Sequence, residues 1–242
     1  MRPPPAVAAL IRKEFREYRH HRSILITALG LPLVFLFLPV IFLSSFDATA
    51  TEADVKMAVG QAIFTFFLAP VIVPAAMAAY SVIGEKEHGT LEPVLTLPIT
   101  DRQFIHAKIV AILIPATAIS IFVYAGFYTL GSIFFHNPVR EAALDPWWAF
   151  GIVLMAVPLA LYSTLLGMNI SARSKDLRVA EQLAGMVILP TLVPISLVTF
   201  QVAPLGFPTW AAFLALASAF DLLLLRLAYR TFRRERVLSL AA

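Results

Sequence analysis

The side chains best suited to chemistry lie in one polar stretch, GEKEHGTLEPVLTLPITDRQFIHAK, at residues 84–108. It holds Glu85, Glu87 and Glu92 together with His88. Carboxylates and a histidine clustered near one face of a membrane are what a membrane enzyme would need. The same carboxylates, beside a run of leucines, would equally suit the docking of a partner protein at the membrane surface.

Nucleotide and metal chemistry are both disfavoured. Gly84 and Gly89 have the spacing of a phosphate-binding loop, but Thr90 stands where that motif needs lysine and no buried strand precedes it. The chain has no cysteine, which excludes a disulfide framework and a thiolate metal site. Its five histidines form no HExxH pair, so the sequence predicts no metal site and no cofactor on this chain. They are His20, His21, His88, His106 and His136.

The order of cap and stop residues in this stretch predicts a short helix. Thr90 is a good N-cap for a run in which leucines fall on one face. Pro98 ends that helix, and Thr100 with Gln103 forms a capping box that opens the next one. We therefore expect a short amphipathic helix within a loop at residues 84–104. A solvated connector between two spans is the alternative.

The composition predicts an all-α integral membrane protein. Hydrophobic residues make up 60% of the 242 positions and charged residues only 14%, and the mean hydropathy is +0.82. Soluble domains are nearer to half apolar and a quarter charged. About 20 apolar residues in a helix cross the hydrocarbon core. Residues 1–242 are thus one transmembrane domain, with predicted spans at 23–46, 57–83, 105–135, 147–170, 179–202 and 207–225.

Residues 1–22 are predicted to form a separate amphipathic helix at the membrane interface. Leu10, Ile11, Phe15 and Tyr18 recur at helical spacing and make one apolar stripe, while arginines and a lysine occupy the other side. A basic arm that binds nucleic acid is the alternative, but the stripe is too apolar for it and leads straight into a span. We therefore expect a lipid membrane, and no nucleic acid, as the partner of this helix.

The distribution of basic residues sets the expected orientation. All of the nineteen Lys and Arg residues except Lys56 and Arg140 fall in the N-terminal arm, the loop at 84–108, the loop at 173–178 or the C-terminal tail. Basic residues concentrate on the cytoplasmic side of membrane proteins. Both termini and the central loop are therefore predicted to be cytoplasmic, in a multi-pass protein of the cytoplasmic membrane.

Three polar side chains inside the apolar spans are candidates for a substrate path. Tyr124 and Tyr128 are four residues apart and share a helix face, although interfacial anchoring or packing is the commoner role of such tyrosines. Asp221 is a carboxylate inside a span, where a charged group is by default a functional hypothesis. Pairing with Arg226 or another base at the inner end of the span is the simpler interpretation.

The polar stretch carries a Glu-Lys-Glu-x-Gly-Thr-Leu-Glu signature, then a leucine-rich segment, a Pro-Ile-Thr step and a lysine. In these residues it resembles the cytoplasmic loop of ABC transporter permeases of the ABC-2 (type V exporter) family. The six predicted spans with both ends inside extend the resemblance to the whole chain. The matching residues are Glu85, Lys86, Glu87, Gly89, Thr90, Leu91, Glu92, Pro98, Ile99, Thr100 and Lys108.

The resemblance implies a coupling helix that docks into a groove of a separate ATPase subunit, and an elbow helix at residues 1–22. ATP and Mg²⁺ would be held by two copies of that ATPase. Six spans are half of the usual twelve, so a second permease chain, identical or different, would complete the complex. The chain itself would not be catalytic. The implied coupling residues are Glu85, Lys86, Glu87, Gly89, Thr90, Leu91 and Glu92.

The expected function is that of the membrane subunit of an ATP-driven exporter whose substrate the sequence leaves open. A non-transporting ABC complex that regulates or assembles membrane components is an alternative. A secondary transporter is a weaker one, because the chain shows neither coupling-ion residues at mid-membrane nor an inverted repeat.

Overall fold

A computed structural model describes residues 5–20, 26–46, 51–87, 100–174 and 176–231. The described residues are almost entirely helical and contain no strand. A π-helical turn, Ile26–Gly30, precedes α2, and a 3₁₀ turn, Met186–Ile188, separates α7 from α8. The helices are α1 Pro5–His20, α2 Leu31–Ser44, α3 Glu52–Glu87, α4 Asp101–Phe134, α5 Val139–Ala143, α6 Pro146–Arg173, α7 Leu177–Gly185, α8 Leu189–Thr199 and α9 Phe207–Thr231.

The prediction of an all-α membrane protein is confirmed. Within the described part of the chain, five helical segments are long and apolar enough to cross a membrane: Glu52–Glu85, Asp101–Phe134, Val139–Arg173, Leu177–Thr199 and Phe207–Thr231. The predicted first span, 23–46, is represented by a shorter apolar helix, Ala28–Ser44. A total of six spans therefore stays a prediction.

The helices around the central loop differ from the predicted boundaries. Helix α3 continues to Glu87, so the first residues of the predicted loop at 84–104 are helical. Helix α4 begins where the capping box predicts: the backbone N–H of Gln103 donates to Thr100 Oγ1 at 3.3 Å, and the Thr100 N–H donates to Gln103 Oε1 at 2.9 Å. The short helix predicted between Thr90 and Pro98 lies outside the described residues.

The last helix is longer than predicted. We expected it to end near Leu225, but α9 runs to Thr231. Leu224, Ala228 and Thr231 are all buried. They recur at spacings of four and three, so the helix keeps one face against its neighbours for two further turns. That extra length places Asp221 about 15 Å from the observed end of the helix rather than one turn from it.

Helix α3 is the centre of the bundle and packs against α2, α4, α6, α7 and α8. Small residues let it approach its neighbours closely, as is usual between membrane helices. A Cβ atom built on Gly167 of α6 would lie 2.7 Å from Ala78 Cβ of α3. Polar side chains add hydrogen bonds to backbone carbonyls across helices. Ser163 of α6 donates to the Val71 carbonyl of α3, and Tyr162 donates to the Val187 carbonyl at 2.9 Å.

One end of the bundle, which we call the α1 end, collects α1, the last turns of α3, α6 and α9, and the start of α4. There the Tyr229 hydroxyl and His106 Nε2 lie 2.9 Å apart, joining α9 to α4. Arg173 of α6 donates to Thr231 Oγ1 at 3.5 Å. The α1 end is therefore where the predicted polar loop leaves α3 and returns to α4.

Candidate coupling site at the end of helix α3

Four charged side chains meet where α3 ends, and we call Lys13, Glu14, Glu85 and Lys108 the ion cluster. Lys108 Nζ lies 3.0 Å from Glu14 Oε1 and 3.2 Å from Glu85 Oε1. Lys13 Nζ lies 2.5 Å from Glu85 Oε1 and 3.5 Å from Glu14 Oε1. The cluster therefore ties α1 to the last turn of α3 and to the second turn of α4.

Three of the four side chains of the ion cluster are buried, and the charges of the cluster balance, two positive and two negative. Lys108 is 0% exposed, Glu14 1% and Glu85 4%. Burying a charge is costly unless it is paired and hydrogen-bonded. Lys108 Nζ meets that condition because it also donates to the Ser81 carbonyl at 2.6 Å. The ion cluster is therefore stable only when all four of its side chains are present.

The pKa values of the α1 side chains reflect burial opposed by nearby charge. Burial alone would lower the pKa of Lys13, but the carboxylates of Glu85 and Glu14 outweigh it and raise the pKa above 10.5. Burial alone would raise the pKa of Glu14, but the ammonium groups of Lys108 and Lys13 outweigh it and lower the pKa below 4.5. Burial, followed by the Glu14 carboxylate, raises the pKa of Tyr18, which donates to Glu14 Oε2 at 3.2 Å.

We expect the docking of α1 to be insensitive to pH between about 5 and about 9. The lowered pKa of Glu14 contributes stability that is present above 4.5 and is lost as the pH falls through the lower folded value. The raised pKa of Lys13 contributes stability that is present below 10.5 and is lost as the pH rises through the higher folded value. Limited tryptic cleavage of α1 across a pH series measures this. A cleavage step near neutral pH would contradict it.

Three carboxylates at this site have oxygens within 4.8 Å of one another, those of Glu14, Glu17 and Glu85. Such a group of carboxylates can bind a divalent cation when no positively charged side chain already neutralises it. Here Lys13 Nζ contacts all three, at 3.5, 3.0 and 2.5 Å respectively. The lysine ammonium therefore already supplies the cation that these carboxylates require.

Sequence reasoning missed Glu14, although it carried a signal. Leu10, Glu14 and Tyr18 are spaced by four, so the carboxylate lies in the middle of the predicted apolar stripe. Leu10 and Tyr18 are buried, while Ile11 and Phe15 are partly buried, and α1 packs against α4. The stripe thus faces protein. An acidic residue within an apolar stripe indicates a buried basic partner, here Lys108 of α4.

A serine of α6 holds the same turns of α3 from the other side. The Ser171 hydroxyl accepts from the backbone N–H groups of Val82 at 3.2 Å and Ile83 at 3.0 Å. It donates to the Ala79 carbonyl at 2.6 Å. Three hydrogen bonds from one buried hydroxyl fix the α6 end against the backbone of α3, directly before Glu85.

A model of the ABC-2 family transporter protein matches residues 8–235, nearly the whole chain. The chain belongs to the ABC-2 family. The resemblance drawn from the loop is therefore confirmed: this is a membrane component of an ABC transporter, a permease that is not itself catalytic, and membership of the family implies association with an ABC ATPase. Among curated proteins, no sequence matches the chain.

The structure places the predicted coupling residues of this ABC-2 protein in two different settings. Glu85 was expected on a docking surface, but its side chain is buried in the ion cluster between α1 and α4. Lys86 and Glu87 continue α3, with side chains outside the described atoms. The other predicted coupling residues lie outside the described part of the chain: Gly89, Thr90, Leu91 and Glu92.

The three candidates for a substrate path are not brought together. Tyr124 is buried, with its ring 5.4 Å from that of Phe66, whereas Tyr128 is exposed on the same helix. Asp221 is 5% exposed, and its Oδ1 has no hydrogen-bond partner among the described residues. Arg226 is exposed and does not form the expected ion pair with Asp221. A role for these residues in a substrate path stays a prediction.

Proposed function

We propose that this ABC-2 protein is the permease subunit of an ATP-driven exporter of the cytoplasmic membrane. A separate ATPase, in two copies with ATP and Mg²⁺ bound to it, would act on a complex of two permease chains. The observation that carries the proposal is the ion cluster. Glu85 and Lys108 stand on either side of the predicted coupling segment and lie 3.2 Å apart, so both ends of that segment are joined through one buried contact.

The ion cluster supports a mechanical form of coupling. A force applied to residues 88–99 would reach α3 through its continuous backbone and α4 through the helix that starts at Asp101. Glu14 and Lys13 connect the same point to α1, and Ser171 connects it to α6. Because α3 contacts most other helices of the bundle, its displacement would be shared widely. In this proposal Glu85 positions the helices, and residues 88–99 touch the ATPase.

The experiment separates docking from folding. We expect Leu91→Asp combined with Glu92→Lys to weaken capture of the ATPase by tenfold or more, since losing a buried charge contact at an interface costs about 2–5 kcal/mol. The midpoint of thermal unfolding of the permease should stay unchanged, because surface changes usually shift stability by less than about 0.5 kcal/mol. Copurification and ATP hydrolysis are the measurements.

Arg140→Glu is the matched control, because Arg140 is an exposed residue between α4 and α6, at the end away from the loop. It should bind the ATPase normally. Normal capture by the loop variant would refute the coupling assignment.

ATP-dependent export of a cargo by the intact complex would support an exporter, whereas ATP turnover without any export would support the regulatory alternative.

A further inference from the structure

Three exposed arginines border the place where α4 and α9 meet at the α1 end, and we call Arg102, Arg226, Arg230 and Tyr229 the basic seam. Arg102 belongs to the first turn of α4, and the other three residues belong to the last turns of α9. The Cζ atom of Arg102 lies 5.6 Å from the centre of the Tyr229 ring. Arg226 shares a helix face with Tyr229, three residues on, and with Arg230, four residues on.

Tyr229 joins the two sides of the basic seam. Its hydroxyl lies 2.9 Å from His106 Nε2, and the guanidinium of Arg102 lies over its ring, a cation–π contact. Both contacts run from α9 to α4, whereas α9 packs chiefly on α6. Arg102 is therefore already ordered beside α9. A ligand that binds there loses less affinity to the ordering of a long side chain.

The charge of the basic seam is not balanced within the part of the chain that the structure describes. No ion pair there involves Arg102, Arg226 or Arg230. Asp101 is the acidic residue of the first turn of α4, and the three arginines outnumber it. A guanidinium group stays charged at any physiological pH. The basic seam thus differs from the ion cluster, in which two lysines face two glutamates, and it suits an anion.

The residues one turn further into the bundle are apolar and face outward. Leu222 and Leu223 are each 58% exposed and lie about 5–6 Å deeper along α9 than Arg226. On the α4 side, Leu113 is partly exposed about two turns beyond His106. Exposed leucines of a membrane helix face acyl chains, while arginines near its end reach the headgroup layer. The basic seam therefore lies at headgroup level, above a surface that suits hydrocarbon.

The anion that this position and charge favour is a lipid phosphate. Guanidinium groups bind phosphate oxygens with charge-assisted hydrogen bonds that are often bidentate. Every phospholipid carries a phosphate at this depth, but a choline headgroup neutralises it with a cation of its own. Basic pockets between membrane helices accordingly favour anionic lipids.

We infer that the basic seam binds the phosphate of an anionic phospholipid from the leaflet at the α1 end. Arg102 and Arg226 contact the phosphate, Tyr229 positions Arg102, and the acyl chains lie over Leu222 and Leu223. This site does not depend on the proposed coupling, because its ligand is lipid and its test uses the permease without an ATPase.

The test places a fluorophore beside the basic seam of the full chain, on Leu222→Cys, which is labelled selectively because the chain has no cysteine of its own. Vesicles of phosphatidylcholine receive an equal share of brominated phosphatidylglycerol or brominated phosphatidylcholine, and bromine quenches a fluorophore that it contacts. A basic residue near the surface strengthens the binding of anionic lipid about fivefold. We expect phosphatidylglycerol to be preferred by at least about fivefold, and Arg102→Gln with Arg226→Gln to abolish most of that preference.

Two sets of variants control for net charge and for the positioning role of Tyr229. Arg12→Gln with Arg178→Gln removes the same charge from exposed residues of α1 and α7 at the same end of the bundle, and it should keep the preference. Tyr229→Leu removes the ring under Arg102 and should lower the preference. Tyr229→Phe keeps the ring and should not.

Three outcomes would overturn the proposal. The first is equal quenching by the two brominated lipids in the protein that carries only Leu222→Cys. The second is an equal loss of preference in the Arg12 and Arg178 control, because net charge alone would then explain the result. The third is the absence of any lipid preference together with loss of ATPase capture in the Arg102 and Arg226 variant, which would make the basic seam a contact of the ATPase.

Discussion

Replacing Lys108 with methionine is expected to lower the free energy of unfolding by about 3–5 kcal/mol. Methionine has a similar length and fills the same space, so the loss would be electrostatic. Without the ammonium, Glu14 and Glu85 remain 1% and 4% exposed and both lose their contact with Lys108, while the partly exposed Lys13 still contacts both. Denaturation of the purified protein in detergent measures the change, and tryptic cleavage of α1 shows whether that helix is released.

Two further variants show whether charge imbalance is the cause. Adding Glu14→Gln to Lys108→Met removes one buried negative charge, and it should recover at least half of the lost stability. Lys56→Met is the surface control, because Lys56 pairs with Glu52 where both side chains are largely exposed. It should leave the unfolding midpoint unchanged. Equal effects of Lys108→Met and Lys56→Met would show that the ion cluster does not stabilise the bundle.

Replacing Gly60 with alanine is expected to destabilise the protein by about 3 kcal/mol, the upper range for overpacking. A Cβ at Gly60 of α3 would lie 1.9 Å from the backbone carbonyl oxygen of Thr199 at the end of α8. A backbone atom cannot rotate away as a side chain can, so α8 would have to move as a unit. The gain in helix propensity from glycine to alanine, about 1 kcal/mol, offsets only part of this cost. The unfolding midpoint in detergent is the measurement.

Gly185→Ala is the matched control for Gly60→Ala. A Cβ on Gly185 would meet nothing within 4 Å, and its backbone is already helical, with φ −60° and ψ −29°. The control should therefore be neutral or slightly stabilising. If Gly60→Ala behaved like Gly185→Ala, the close approach of α3 and α8 would not exist in the purified protein.

The features that could be predicted from sequence depend on residues close together in the chain. The apolar segments that form α3, α4 and α9 were recognisable, although not their ends, because about 20 successive apolar residues in a helix are long enough to cross a bilayer whatever lies around them. The capping box of Thr100 and Gln103 was predictable because its two side chains are three residues apart. The family resemblance also rests on one short stretch, and the match over residues 8–235 confirms it.

The partner of a buried charge was not predictable in the same way. Glu14 meets Lys108, 94 positions away, because packing of α1 on α4 brings them together. Asp221 was expected to pair with Arg226, only five positions away, but five residues turn a helix by about 140° past a full turn, onto another face. The burial of a charged side chain indicates that it needs a partner. Only the packing of the helices against one another determines which residue is that partner.

A cavity beside Trp210 likewise combines residues that are recognisable in the sequence with a space that only the tertiary structure creates. Pro190, Pro194 and Trp210 are visible in the sequence as a proline-broken span and an aromatic residue near a helix end. Their spacing in the sequence does not predict that α8 packs on α3 while α9 packs on α6. This packing leaves a space between α8 and α9. Local sequence sets which segments are apolar helices, because hydrophobic length and capping act over a few turns. The spaces between helices depend on long-range contacts such as that of Gly60 with Thr199, which no single segment contains.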